Sequence, residues 1–101
     1  MTTTLYPPII DHETATAESF RRDPDFAVAY LNDVLADGEQ EEILLSLRLL
    51  AKAFGGIAKI SQRAGLSEKA VHRMLSAKGT PEFKSLRALC GAMGLRLAVF
   101  R

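Results

Sequence analysis

Residues 57–76, IAKISQRAGLSEKAVHRMLS, limit what this chain can fold into more than any other stretch, because they require two short helices and a sharp corner between them. Ile57 and Ile60 place apolar side chains one turn apart, and Ser61 and Ala64 are small where a second helix must cross closely. Gly65 can take the left-handed backbone that ends a helix, and Leu66 is expected to plug the corner from below. Ser67 suits the N-cap of a new helix, and Ala70, Val71, Met74 and Leu75 return an inward stripe at helical spacing. The outward face is then Glu68, Lys69, His72, Arg73 and Ser76. This is the spacing of a helix-turn-helix, and those side chains can reach base edges or phosphates from a second helix laid in a major groove. A plain surface hairpin would share the glycine corner and the polar outer face. The pattern alone favours the DNA-reading motif and leaves the hairpin open.

Charge supports the first reading. The net charge of +1 over 101 residues conceals two opposed halves. Residues 1–50 hold three basic residues (Arg21, Arg22, Arg48) against ten acidic ones, a net of −7. Residues 51–101 hold ten basic residues against Glu68 and Glu82, a net of +8, and contain the motif. A basic motif half supplies sequence-independent attraction to phosphate, while an acidic half suits solvent or a basic protein partner. Chain length allows one modest core, with a soluble, cytoplasmic protein expected from the lack of a long apolar run or a basic leader. Cys90 is the single cysteine, which leaves no internal disulfide or clustered zinc site and marks it as a small core residue.

In chain order, residues 1–11 carry Pro7-Pro8 and are expected to form a loose arm. A short helix to Arg22 should be anchored by Ala15, Ala17 and Phe20, which makes residues 1–22 an arm and helix ahead of a helical domain over 23–94. Asp23-Pro24 starts the next helix, which buries Ala27, Leu31, Val34 and Leu35, flanked by Phe26 and Tyr30, and closes at Gly38. Glu39, Glu41 and Glu42 occupy the first turn of the helix after that. Ile43, Leu47, Leu50, Ala51 and Phe54, broadened by Leu44, Leu45 and Leu49, make it the central core helix, and Gly55-Gly56 turns the chain into the motif. Lys78-Gly79 reads as a turn, Thr80 as an N-cap and Pro81 as the first residue of a last helix. That helix should bury Phe83, Leu86, Leu89, Cys90 and Met93, expose Lys84 and Arg87, and stop at Gly94. Lys78 and Lys84 are candidate phosphate contacts. From residue 95 the period changes to two, with Leu95, Leu97 and Val99 alternating with Arg96, Ala98 and Phe100, which reads as a strand over 95–101. Apart from the short stretch 5–10 it has no candidate partner upstream, so pairing between subunits through Leu95, Leu97, Val99 and Phe100 is expected, or strand addition to another protein.

With these elements in place, the stretch from RRDPDF to GLRLAVF is similar to the small antitoxins of the probable addiction-module antidote family, which carry a helix-turn-helix of the lambda-repressor (XRE) class. The resemblance rests on the acidic Asp-Pro helix, the leucine-rich helix before the motif, the motif itself and the terminal Gly-Leu-Arg-Leu. It implies a five- to six-helix, mainly α, lambda-repressor-like bundle in a bacterial type II antitoxin. Such a protein neutralises a small basic RelE/HigB-type toxin, an mRNA interferase, and represses its own operon as a dimer. Carried over by residue, DNA contacts fall on Ser67, Glu68, Lys69, His72, Arg73 and Ser76, with Lys59 or Gln62 on phosphate and Lys78 beside them. Ser61 stands where the family usually has alanine, so its hydroxyl needs a partner. The charge division places toxin contacts on the acidic side chains, chiefly Glu13, Glu18, Asp33, Glu39 and Glu42, where solvated helix faces are the plain alternative.

A second class of function is an interaction module, or a regulator without a toxin partner, whose motif serves only packing. Glu68 favours it, since an acid at the start of the reading helix repels phosphate unless it accepts from a cytosine amine. Catalysis is not expected. His12 and His72 lie on different elements, no nucleophile–base set or metal spacing appears, and no cofactor, small-molecule ligand or membrane partner is implied.

Overall fold

The computed structural model describes residues 12–101 and contains six helices: α1 (His12–Arg22), α2 (Pro24–Asp37), α3 (Gln40–Ala53), α4 (Ile57–Ala64), α5 (Glu68–Met74) and α6 (Phe83–Ala92). The expected loose arm, residues 1–11, lies outside the described residues. None of the helices is long and apolar enough to cross a membrane.

The core is organised on α3. Leu44, Leu47, Leu49, Leu50, Ala51 and Ala53 are all buried, so this helix is covered around most of its circumference, as its leucine pattern predicts. Each fully buried leucine contributes about 1.5–3 kcal/mol relative to an exposed one. On one side α1 and α2 pack against α3 and each other; on the other α3 meets α4, which in turn packs on α5 and α6. Phe20 of α1 is fully buried, with the ring of Tyr30 edge-on at 5.2 Å and Phe26 at 5.7 Å between centroids. The helix that sequence patterning defines most weakly is thereby tied to the core by an aromatic cluster.

The starts and stops follow local chemistry. Asp23 accepts from the Phe26 N–H at 3.1 Å with Pro24 in the first turn of α2. Gly38 does follow α2, but at φ −83° rather than in the left-handed region. It is glycine for a different reason: a Cβ there would lie 2.7 Å from the Val34 carbonyl oxygen. Gly55 and Gly56 both take positive φ, 135° and 91°, and turn the chain from α3 into α4.

Several expectations need correction. No strand is present among the described residues, and 95–101 forms no ladder with them, because one alternating segment cannot pair with itself. Leu95, Leu97, Val99 and Phe100 therefore make no sheet with any of the described residues. The last helix begins at Phe83 with Glu82 at its N-cap, two residues later than Thr80-Pro81 suggests. Phe83 thus occupies the first helical position, where no preceding turn packs beneath it, and is 69% exposed, leaving Leu86, Leu89, Cys90 and Met93 to carry the inward stripe. On α2 the stripe is narrower than its periodicity implies: Ala27 and Leu31 are buried, while Leu35 is exposed. Ala15 on α1 is likewise exposed.

Candidate nucleic-acid interface

The corner between α4 and α5 forms as its residues dictate. Gly65 sits in the left-handed region at φ 73° and ψ 27°. Its N–H donates to the Gln62 carbonyl at 3.2 Å and the Leu66 N–H donates to the Ser61 carbonyl at 3.0 Å, the paired bonds that close a helix end on a left-handed glycine. The Ser67 hydroxyl accepts from the Ala70 N–H at 3.0 Å and starts α5. Ile60, Val71 and Leu75 are fully buried, with Leu66 and Met74 packed against the same core. Ser61 is 2% exposed at the crossing and its hydroxyl has no hydrogen-bond partner. The smallness that lets the helices cross therefore comes with an unsatisfied polar group.

Glu68, Lys69, His72, Arg73 and Ser76 are all exposed, with Lys59 and Gln62 exposed on α4 and Lys78 beyond α5. Arg73, Ser76 and Lys78 share a groove of about 410 Å³ with Thr80, Glu82 and Ser85 at the junction of α5 and α6. Two features alter the roles read from sequence. Glu68 Oε1 lies 3.9 Å from His72 Nε2 one turn along, so a protonated His72 neutralises the acid that otherwise repels phosphate. The Ser76 hydroxyl donates to the Arg73 carbonyl at 2.8 Å, which turns its hydrogen toward its own chain and leaves only its lone pairs for a ligand. Ser67, as an acceptor in its cap, keeps its hydrogen free to donate.

Two α3 side chains that local patterning does not single out hold this surface in place. Arg48 Nη1 donates to the Leu75 carbonyl at the end of α5, placing a cation where the helix dipole is negative. Gln40 Nε2 donates to the Gly79 carbonyl at 2.8 Å. Gly79 itself cannot be another residue without displacement, because a Cβ there would fall 2.1 Å from the Met74 carbonyl oxygen. Charge and turn chemistry identify Arg48, Gln40 and Gly79 as an arginine, a first-turn polar residue and a turn glycine; only the tertiary path shows that they fix the end of α5. Thr80 and Ser85 are also missed by the sequence reading, Thr80 because it is assigned to a cap that Glu82 takes.

The acidic side chains sit in several local settings. Glu39, Glu41 and Glu42 line a shallow cleft with Leu45 and Arg48, and Glu42 Oε1 accepts from the Glu39 N–H at 3.0 Å, which caps α3. Glu18 pairs with Arg21 on α1. Glu13 lies at a neighbouring cleft that shares Arg48 and is lined also by Lys52 and His72, and Asp33 is exposed on α2. Among the described residues no three His, Cys, Asp or Glu side chains gather as a metal ion requires.

The probable addiction module antidote protein model matches residues 13–101, from the first turn of α1 to the end of the tail. The chain belongs to the probable addiction module antidote family. This antidote-family chain is also 31% identical over 70 residues to an uncharacterised protein of Haemophilus influenzae (strain ATCC 51907 / DSM 11121 / KW20 / Rd), covering 69% of this chain and 71% of that one. No solved structure matches it. Family membership gives it an antidote's role toward a toxin, and the match spans the α4–α5 corner as well as the acidic helices.

Proposed function

We propose that this chain is the antitoxin of a bacterial type II toxin–antitoxin module, which neutralises a RelE/HigB-type mRNA interferase by binding it and represses its own operon as a dimer through an XRE-class helix-turn-helix. The observation that carries the reading is the match to antidote proteins over residues 13–101 of a chain whose α4–α5 corner presents a polar, mainly basic outer face. Arg73 and Lys69 reach bases or phosphates from α5; Lys59, Gln62 and Lys78 supply phosphate contacts from either side. Ser67 donates from the helix start, and Glu68 either accepts from a cytosine amine or is held by His72. The toxin, being basic, is drawn to the acids of α1–α3, with Glu39 and Glu42 beside the apolar Leu45 as the strongest candidates and Glu13, Glu18 and Asp33 at the periphery. The protein itself catalyses nothing; it works in the cytoplasm and needs no cofactor.

Co-expression with the product of the adjacent gene tests the antidote role. The expected result is a complex that survives purification and stops ribosome-dependent mRNA cleavage. Continued cleavage at an excess of this protein would remove the toxin from the account. The alternative of an interaction module without DNA rests on Glu68 alone and predicts no sequence-selective DNA binding.

A further inference from the structure

Two backbone carbonyls at and beyond the end of α5 accept from side chains of α3. Arg48 donates to the carbonyl of Leu75, and Gln40 Nε2 donates to that of Gly79 at 2.8 Å. Between them the chain makes a turn, closed by the Gly79 N–H on the Ser76 carbonyl at 2.8 Å, in which Ser76, Ala77 and Lys78 are exposed and Gly79 is buried. The two tethers act on different parts of the candidate interface. Leu75 is fully buried and caps α5, so Arg48 fixes the helix whose outer face carries Lys69, His72 and Arg73. Gly79 belongs to the turn, so Gln40 fixes the backbone beside Lys78, which shares the groove of Arg73. A lysine is a point charge on a flexible stem, and the place of its backbone decides which phosphate it can reach.

We propose that Gln40 is the positioning residue for the phosphate contact of Lys78: an uncharged side chain on α3 that sets affinity for DNA without entering the choice of sequence. This rests on the DNA-reading function proposed above and assigns a role within it. Gln40 opens α3 directly after Glu39 and ahead of Glu41 and Glu42, a turn that repels phosphate. Its effect on DNA therefore passes through the bond to Gly79. Losing that bond leaves a buried residue's carbonyl to find water, and the turn shifts with it. Because a phosphate contact carries no base information, the loss appears in the salt dependence and falls equally on every sequence. Arg48 acts through α5, where bases are read, and its loss appears in selectivity.

The test compares the full-length chain with Gln40→Met, Lys78→Ala, the double variant and Arg48→Met, binding the fragment upstream of the gene and a scrambled fragment over a range of salt. Gln40 is exposed at the first position of α3, so Gln40→Met removes the donor at nearly constant length and charge and leaves the core untouched. Gln40→Met and Lys78→Ala should each lower the salt slope by about one per copy of the chain bound, and weaken both fragments by the same factor. The double variant should be no worse than either, since the two share one contact. Arg48→Met should instead cut the preference for the upstream fragment by at least about fivefold and leave the slope unchanged. A Gln40→Met chain with the wild-type slope, a loss confined to the upstream fragment, or a double variant whose losses add would overturn the role of Gln40 and leave the DNA reading standing. A wild-type chain that binds neither fragment selectively overturns both.

Discussion

α4 and α6 end in the same way and lead to opposite outcomes. Gly65 and Gly94 are both left-handed, at φ 73° and 78°, and each is followed by a leucine whose N–H returns to a carbonyl five residues back. After Gly65 the chain meets Ser67, which caps a new helix, and Val71 and Leu75 bury that helix at once. After Gly94 it meets an alternating segment with no cap and no partner among the described residues, and beyond Leu95 and Leu97 its apolar side chains, Val99 and Phe100, stay in solvent. A local motif sets the direction of a corner; whether the next segment closes on its own molecule depends on that segment's own period.

The largest expected effect breaks the closed side. Gly79→Ala places a methyl 2.1 Å from the Met74 carbonyl oxygen and should cost about 3 kcal/mol in urea unfolding, by forcing the loop that Gln40 and Arg48 hold under α5. Unchanged stability would mean that this loop does not seat α5. Next, Arg73→Ala and Lys69→Ala should each weaken operator binding by about 1–3 kcal/mol for a base contact, or reduce the salt slope by about one for a phosphate contact. If neither quantity moves, these residues do not belong to the interface. Gly65→Ala and Gly94→Ala sharpen the comparison itself. Each meets open space at a left-handed backbone, so the two should cost nearly the same, about 1–2 kcal/mol. A clear inequality would show that the segment beyond a corner helps to hold it. Smallest of all, Ser61→Ala removes a buried hydroxyl without a partner and should raise stability by about 1 kcal/mol in the same unfolding experiment. A loss on that substitution would show that the hydroxyl is satisfied in solution.

The features legible in the sequence and those hidden from it divide along the same line. Helix positions, the Asp23-Pro24 start, the central role of α3 and the Gly65–Ser67 corner were legible because each depends on residues within about four positions of one another. The depth of Phe83, the exposure of Leu35 and the anchoring of α5 by Arg48 and Gln40 were not, because each depends on what a distant part of the chain brings alongside. Arg48 and Leu75 are 27 residues apart, and Gln40 and Gly79 are 39. Alternation in the tail was visible as a pattern, yet a strand is a property of a pair, and the described residues offer it no second strand. Charge alone likewise does not show that Glu18 is paired on α1, that Glu42 caps α3, or that Glu13 faces a cleft with Lys52 and His72.

The central claim is that the α4–α5 corner reads DNA. It is tested most directly by binding of the full-length protein to the fragment immediately upstream of its own gene, at several salt concentrations and against a scrambled competitor. Sequence-selective binding at nanomolar concentration is expected, with a steep loss of affinity as salt rises. Equal binding to the scrambled fragment, or none at low salt, would contradict it and leave α4 and α5 as a packing hairpin in an antidote that acts on protein alone.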